Sequence, residues 1–345
     1  MDLVERLDRS VAAVVGHGFL ITPLTRQSAL GAALGLGSLW VKDDTDNVGG
    51  SHKARHLFGT LLHQALAPTT TGELVIASCG NATLAAAVVA RAVEKPLRVF
   101  IPTWADPAVV TALKELGAIV VVKKRTAKST GDPTVAAMQK ALEKGATAFS
   151  VQGSITPTAL DGGRSIGWEL AEQLALARVQ GTVGLFVQVG GGALATSVWR
   201  GLNDGIREQW FAGTPALHTI QTEAAAPLNR ALRLVLESFD DWTTAPTAQF
   251  MWPWEDVGTS RASGILDDVT YDWMPVMEAM LVSGGAAHVV SENLIAESHR
   301  LAREYTDIPA DHTATAGLAA LLDPTVAEQA REYDHVVVFF TGRER

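Results

Sequence analysis

A single cysteine, Cys79, stands in a chain of 345 residues. One thiol excludes an intramolecular disulfide and a cysteine-based zinc site. Basic residues are also few, and the net charge is −9. The densest basic run, Lys123-Lys124-Arg125, is too short for a nucleic-acid footprint and reads as a solvated strand end. No stretch reaches the ~20 apolar residues that a membrane-spanning helix needs. The apolar run from Val11 to Val15 is brief, and Asp2, Glu5 and Asp8 precede it where a signal peptide would be basic. A cytoplasmic protein without nucleic-acid or membrane partners is therefore expected.

What is plentiful is apolar: 47% of residues are hydrophobic and only 19% charged. That balance suits a buried α/β sheet, and the length allows two substructures. Short β-branched runs recur at Leu39 to Lys42, Leu74 to Ala77, Arg98 to Ile101, Ile119 to Val122, Gly184 to Val189, His218 to Gln221 and His335 to Phe340. Each is apolar on consecutive positions, the pattern of a parallel strand buried on both faces. Helical segments such as Ala82 to Val93, Val109 to Leu116 and Thr134 to Lys144 lie between them. Alternation of this kind implies βαβ units and mostly parallel sheets. Two Pro/Thr/Gly-containing links, Ala67 to Gly72 (APTTTG) and Gln152 to Pro157 (QGSITP), bracket about four strand–helix pairs. The expected organisation is a small domain, 73–150, inserted into a large domain made of 1–72 and 151–345.

Four segments carry chemistry. In Asn47 to Arg55 (NVGGSHKAR), Lys53 follows a Gly-Gly-Ser turn at the start of an apolar helix. Its amine is either an ordinary surface group or one aimed into a cleft, where desolvation would fit it to form an imine. Ser78 to Asn81 (SCGN) joins a strand to an Ala-rich helix, where backbone N–H groups can bind a carboxylate. Asn81 could equally be a helix cap. Gly190 to Ala193 (GGGA) lies between an apolar strand and the helix from Leu194. Its glycines would let backbone N–H groups approach a phosphate. The run matches neither the dinucleotide fingerprint nor a P-loop. Thr341-Gly342 ends the last apolar strand, at the edge where α/β sheets bind ligands.

Taken together and in this order, the segments resemble the fold-type II family of pyridoxal-phosphate (PLP) enzymes. Threonine synthase, threonine and serine dehydratases, serine racemase, cysteine synthase and the tryptophan synthase β chain belong to it. Ile21 to Leu24 (ITPL) is similar to the family's early T-P-L. Val41 to Asp44 with Gly50 to Lys53 resembles K-x-E plus G-S-F-K, and Ser78 to Asn81 resembles S-S-G-N. Asp161 to Glu169 (DGGRSIGWE) is similar to E-G-x-K-T-I-x-x-E of threonine synthases, and Thr341 to Arg343 to the closing T-G or S-G-R-G. The resemblance implies a two-domain fold, each domain a mostly parallel sheet flanked by helices, and usually a homodimer.

It also implies roles. Lys53 would hold PLP as a Schiff base and move the α-proton. Asn81 would bond the cofactor's phenolic oxygen, and Gly190, Gly191, Gly192, Ala193 and Leu194 would cradle its phosphate. Thr341 would face the pyridine nitrogen. Ser78, Cys79, Gly80, Asn81 and Ala82 would hold the substrate, a small amino acid. Cys79 falls where the family's racemases carry a serine that handles protons opposite the lysine. A thiol, with an ordinary pKa of about 8.5, deprotonates more readily than a hydroxyl, so Cys79 is a candidate second acid/base, with packing the alternative.

This sequence departs from the family at His52, where Phe is usual, and at Ala82 and Thr83, where dehydratases commonly have His and Ala. Gly49 to Arg55 also resembles the D-cysteine desulfhydrase branch. The reaction expected is elimination of water or another β-group with release of ammonia. A synthase, of the threonine synthase or β-replacement type, or a non-catalytic binding module on the same scaffold are the alternatives. No metal ligand set is expected. Glu223, beyond a strand end, reads as a cap or surface residue before a cation ligand. His288, His299 and His312 read as surface or satisfied core histidines.

Overall fold

The structure, a computed structural model, describes residues 2–66, 72–125, 132–238 and 241–344. The link expected at Ala67 to Gly72 lies outside the described residues except for Gly72. The chain begins with α1 (Leu3–Val15), β1 (Leu24–Arg26), α2 (Ser28–Ala33), β2 (Leu39–Asp43), α3 (Lys53–Leu66), β3 (Leu74–Ala77) and α4 (Asn81–Ala92). It continues through β4 (Leu97–Pro102), α5 (Pro107–Glu115), β5 (Ile119–Lys123), α6 (Pro133–Leu142), β6 (Thr147–Ala148) and α7 (Thr158–Leu176). Next come β7 (Thr182–Gln188), α8 (Ala193–Arg207), β8 (Thr214–Thr222), α9 (Pro227–Glu237), α10 (Trp273–Ser283) and β9 (Ala287–Val290). The last elements are α11 (Glu292–Tyr305), α12 (Ala316–Ala319), α13 (Pro324–Ala330) and β10 (His335–Phe340).

The strands form two sheets, ordered β1-β2-β10-β7-β8-β9 and β5-β4-β3-β6. Every pairing is parallel except that of β1 with β2. In the larger sheet Val337 and Phe339 of β10 enter one apolar cluster, while Val336, Val338 and Phe340 enter another. The smaller sheet divides likewise, with Leu74 and Ile76 of β3 on one side and Val75 on the other. This alternation is the two-faced burial expected of parallel strands under helices. The expectation fails at β5. It is an edge strand, and Ile119 and Val122 are 46% and 56% exposed.

The chain divides into two compact units, one of residues 1–20 and 47–163 and the other of 21–46 and 164–345. The expected small domain, 73–150, lies wholly in the first, but that unit is larger than expected. The reason is packing: Leu7 and Val11 of α1 and Leu57 and Leu61 of α3 join the same apolar cluster as Leu74 and Ile76 of β3. Helix starts are set locally. Asp106, Asp132 and Asp323 each accept an N–H bond at the head of α5, α6 and α13, and each is followed by proline. An Asp cap satisfies an orphan donor, and proline at the first helical position lacks the N–H that would be orphaned anyway.

Candidate active site

The first unit holds Lys53 and the β3–α4 turn. Gly49 (φ 71°) and Gly50 (φ 66°) turn the chain into α3 through the left-handed region that glycine enters freely. A Cβ on Gly49 would stand 3.6 Å from the Ala85 backbone, so the turn rests on α4. Ser51 is fully buried and its hydroxyl has no hydrogen-bond partner. A buried hydroxyl without a partner, next to Lys53, fits a residue that would hydrogen-bond a bound cofactor. Lys53 itself is half-buried as the first residue of α3.

Helix α3 lies against the first turns of α7. A Cβ on Gly59 would stand 2.4 Å from the Gly162 Cα, so both positions must be glycine for this approach. The closeness brings His56 Nδ1 to 3.0 Å from the Ala159 carbonyl. His52 Nδ1 lies 3.2 Å from His56 Nε2, and His52 Nε2 lies 3.5 Å from Lys53 Nζ. Both rings are buried. Burial, and then the charges of Lys53, His56 and Arg55, push His52 well below the usual histidine range.

Ser78, Cys79, Gly80 and Asn81 are half-buried, whereas the Ala82 side chain is buried in the apolar cluster. Ala82 can therefore offer a substrate only its backbone. Gly80, not Asn81, is the cap residue of α4, and no side chain caps this helix. Thr83 donates its hydroxyl to the Gly80 carbonyl at 2.7 Å. The capping role considered for Asn81 is thus absent.

The second unit holds the glycine loop and Thr341. Gly192 (φ 97°) is the cap residue of α8, which has neither a side-chain cap nor an acidic residue in its first turn. Its first N–H donors suit an anion. A Cβ on Gly190 would stand 2.5 Å from Asp267 Oδ2 and 3.0 Å from the Ile265 Cα, so the loop has no room for a side chain there. The Asp272 N–H donates to the Gly191 carbonyl at 2.8 Å and fixes the loop's other wall. Helix α8 is seated by another glycine pair: a Cβ on Gly201 would stand 2.2 Å from the Arg164 carbonyl oxygen and 2.9 Å from the Gly167 Cα.

Thr341 is buried at the end of β10, which pairs with β7. Gln188 Nε2 donates to the Phe339 carbonyl and to Thr341 Oγ1, each at 3.0 Å. A carbonyl can only accept, which identifies the nitrogen end of the Gln188 amide. Because Thr341 Oγ1 accepts from Gln188, its own proton points elsewhere.

Sequence reasoning missed Gln188 and the His52–His56 pair. Their signals were a polar residue closing an apolar strand and two histidines four apart across the start of a helix. It also missed the buried contacts of Lys42, which donates to Glu169 at 2.7 Å, to Gln173 at 3.0 Å and to the Thr22 carbonyl at 2.6 Å. His288 bonds His218 at 2.9 Å, His218 bonds the Tyr333 hydroxyl at 2.7 Å, and Phe186 stacks on His218 at 4.6 Å. His299 and His312 stack at 3.9 Å. Glu223 is exposed and its N–H donates to the Val290 carbonyl. Among the described residues no cluster of His, Cys, Asp and Glu is placed to hold a metal ion, and no helix is long and apolar enough to cross a membrane.

The chain is 26% identical over 330 residues to threonine synthase of Methanocaldococcus jannaschii, covering 93% of this chain and 74% of that protein. Its fold is similar to that of the T.th. threonine deaminase (TM-score 0.75, 21% identity, covering 99% of this chain and 98% of that one). It is also similar to that of maize serine racemase (TM-score 0.73, 16% identity, covering 99% of this chain and 93% of that one). Two mostly parallel sheets flanked by helices, an uncapped helix behind a glycine loop and a lysine opening a helix agree with the match of residues 16–342 to the family model: the chain belongs to the pyridoxal-phosphate dependent enzymes, and pyridoxal phosphate is its cofactor.

Proposed function

We propose that the chain is a lyase that removes water from a small hydroxy amino acid and releases ammonia and a 2-keto acid. In this reading Lys53 holds the cofactor covalently, and Asn81 meets its phenolic oxygen. Backbone N–H groups from Gly190 to Leu194 hold the phosphate. Ser78 to Ala82, at the uncapped start of α4, hold the substrate carboxylate. The bound cofactor supplies the sink for the electron pair left on Cα. Lys53 takes the α-proton, the β-hydroxyl gains a proton and leaves as water, and the enamine product takes up water to give ammonia and the keto acid.

The observation that carries this reading is the Thr341 hydroxyl, placed by Gln188 with its proton directed away from the amide. Were Thr341 to meet the pyridine nitrogen, its neutral hydroxyl would leave that nitrogen largely unprotonated, and the cofactor would supply a weaker electron sink, suited to β-elimination over transamination. The likeness to a threonine deaminase and to an ammonia-lyase from Rhizomucor miehei agrees with it.

A second reading, a synthase, is favoured by the threonine synthase relative. The Asp161 to Glu169 segment gives it less weight than its motif suggests, because its charges serve the fold. Asp161 lies 3.2 Å from His63, Arg164 pairs with Asp204 at 2.7 Å, and Glu169 pairs with Lys42 at 2.7 Å. Incubation with L-serine, L-threonine and O-phosphohomoserine separates the two. Ammonia and keto acid in equal amounts from serine or threonine is the expected outcome. Phosphate release from O-phosphohomoserine, without ammonia from the other two, would favour the synthase.

A further inference from the structure

We infer that His52 is a positioning residue for Lys53, held as an acceptor toward the amine by a relay that ends at the Ala159 carbonyl. The inference rests on Lys53 being the cofactor lysine. Its logic is one of donors and acceptors. The Ala159 carbonyl can only accept, so His56 Nδ1, 3.0 Å away, carries a proton. A neutral His56 then presents a bare Nε2, to which His52 Nδ1 must donate across 3.2 Å. His52 Nε2 is consequently bare, and it faces Lys53 Nζ at 3.5 Å. Adding a charge to the His52 ring is disfavoured by its burial beside Lys53 and Arg55. His52 is 7% and His56 0% exposed, so water does not compete for these nitrogens.

The relay decides how the amine behaves. To attach an aldehyde, Lys53 must be a neutral amine whose lone pair adds to the carbonyl carbon. Nitrogen then loses its two remaining protons as the carbonyl oxygen leaves in one molecule of water, and a C=N bond results. With one N–H drawn toward His52 Nε2, the lone pair has fewer directions to sample. The other tautomer would direct an N–H at the amine's lone pair and occupy the electrons that must add to the carbonyl carbon. The usual apolar residue before the lysine could do neither.

Two measurements decide the matter. Long-range ¹H–¹⁵N NMR of the imidazoles in the cofactor-free protein should find both His52 and His56 as Nδ1–H tautomers at neutral pH. His52 carrying its proton on Nε2 would overturn the inference without any variant. In parallel, PLP attachment is timed by absorbance, and the bound cofactor is reduced with borohydride and located by peptide mass spectrometry. His56→Leu breaks the relay and should slow attachment at Lys53 about tenfold, the worth of one buried hydrogen bond. His56→Gln can accept from His52 and donate to Ala159, and should restore the wild-type rate to within about twofold. Wild-type attachment in His56→Leu, or no rescue in His56→Gln, would overturn the relay while leaving Lys53 as the cofactor lysine. Reduced cofactor on another lysine would overturn the reading of Lys53 itself. If His56→Leu does not fold, the tautomers of the wild-type protein still decide.

Discussion

Two lysines precede β3 by a few turns of chain, and their surroundings give them opposite uses. Lys42 is fully buried, and Glu169, Gln173 and the Thr22 carbonyl hold its ammonium as a donor. A buried charge so paired is fixed in the fold and cannot act as a neutral nucleophile. Lys53 is half-buried at a helix start, with an acceptor histidine beside it. The sequence shows both as lysines after apolar or glycine-rich runs; burial and partners separate them. Cys79 poses a similar question. It is half-buried in the turn that opens α4, so its thiol is not simply core. If it serves as the second acid/base, Cys79→Ala should lower α-deuterium uptake into one enantiomer of serine about a hundredfold, a typical contribution of one general base. Uptake into the other enantiomer should persist through Lys53. Equal uptake into L- and D-serine at wild-type rates in Cys79→Ala would assign the thiol to packing.

At the scale of elements, the helix starts separate scaffold from site. Helices α5, α6 and α13 open on Asp-Pro, where the carboxylate satisfies a donor within the chain. Helices α4 and α8 open on glycine with no side-chain cap, leaving donors available to an anion. At α8 the glycine run was legible in the sequence, whereas at α4 Asn81 left a side-chain cap open. Strands β2, β3, β4, β5, β7, β8 and β10 were legible too, because their apolar runs need no tertiary context. Strands β1, β6 and β9 were not legible. Of these, β1 and β6, at 3 and 2 residues, are too short for a readable period. The third, no shorter than β3 at 4 residues, is an edge strand that is only partly buried and carries a histidine in place of a continuous apolar run. The boundary of the first unit was hidden for another reason, since nothing local reveals that α1 and α3 share a core with β3. The glycine loop can be tested apart from folding. Gly191→Asp puts a carboxylate among donors suited to a phosphate, and should weaken PLP binding at least about tenfold. The melting temperature of the cofactor-free protein should change little, because no cap is lost. Equal losses of affinity and cofactor-free stability would show that the loop serves packing alone.

For the molecule as a whole, the second unit carries a latent sensitivity to acid. His218 sits mid-strand in β8 with Phe186 stacked on one face, and burial, followed by the neighbouring His288, lowers its pKa to about 3. Burial also lowers His288, against a partial opposing pull from Asp323. An unfolded chain binds the His218 proton near pH 6.5, well above the pH at which the folded protein accepts it. Protonation therefore favours unfolding: the stability this site contributes is complete above pH 6.5 and is lost as pH falls from 6.5 toward 3. Between pH 7 and pH 5 the loss from His218 alone is about 2 kcal/mol, with His288 adding in the same direction. Carboxylates titrate mostly below this window, so the slope there reports the histidines. His218→Gln keeps an amide that can bond His288 and Tyr333 but cannot titrate. Urea unfolding at pH 7 and pH 5 should show a smaller acid loss in His218→Gln than in wild type, by about 2 kcal/mol. Parallel losses in the two proteins would mean that His218 takes up its proton in the folded state, and that the stacked cluster opens before the unit unfolds.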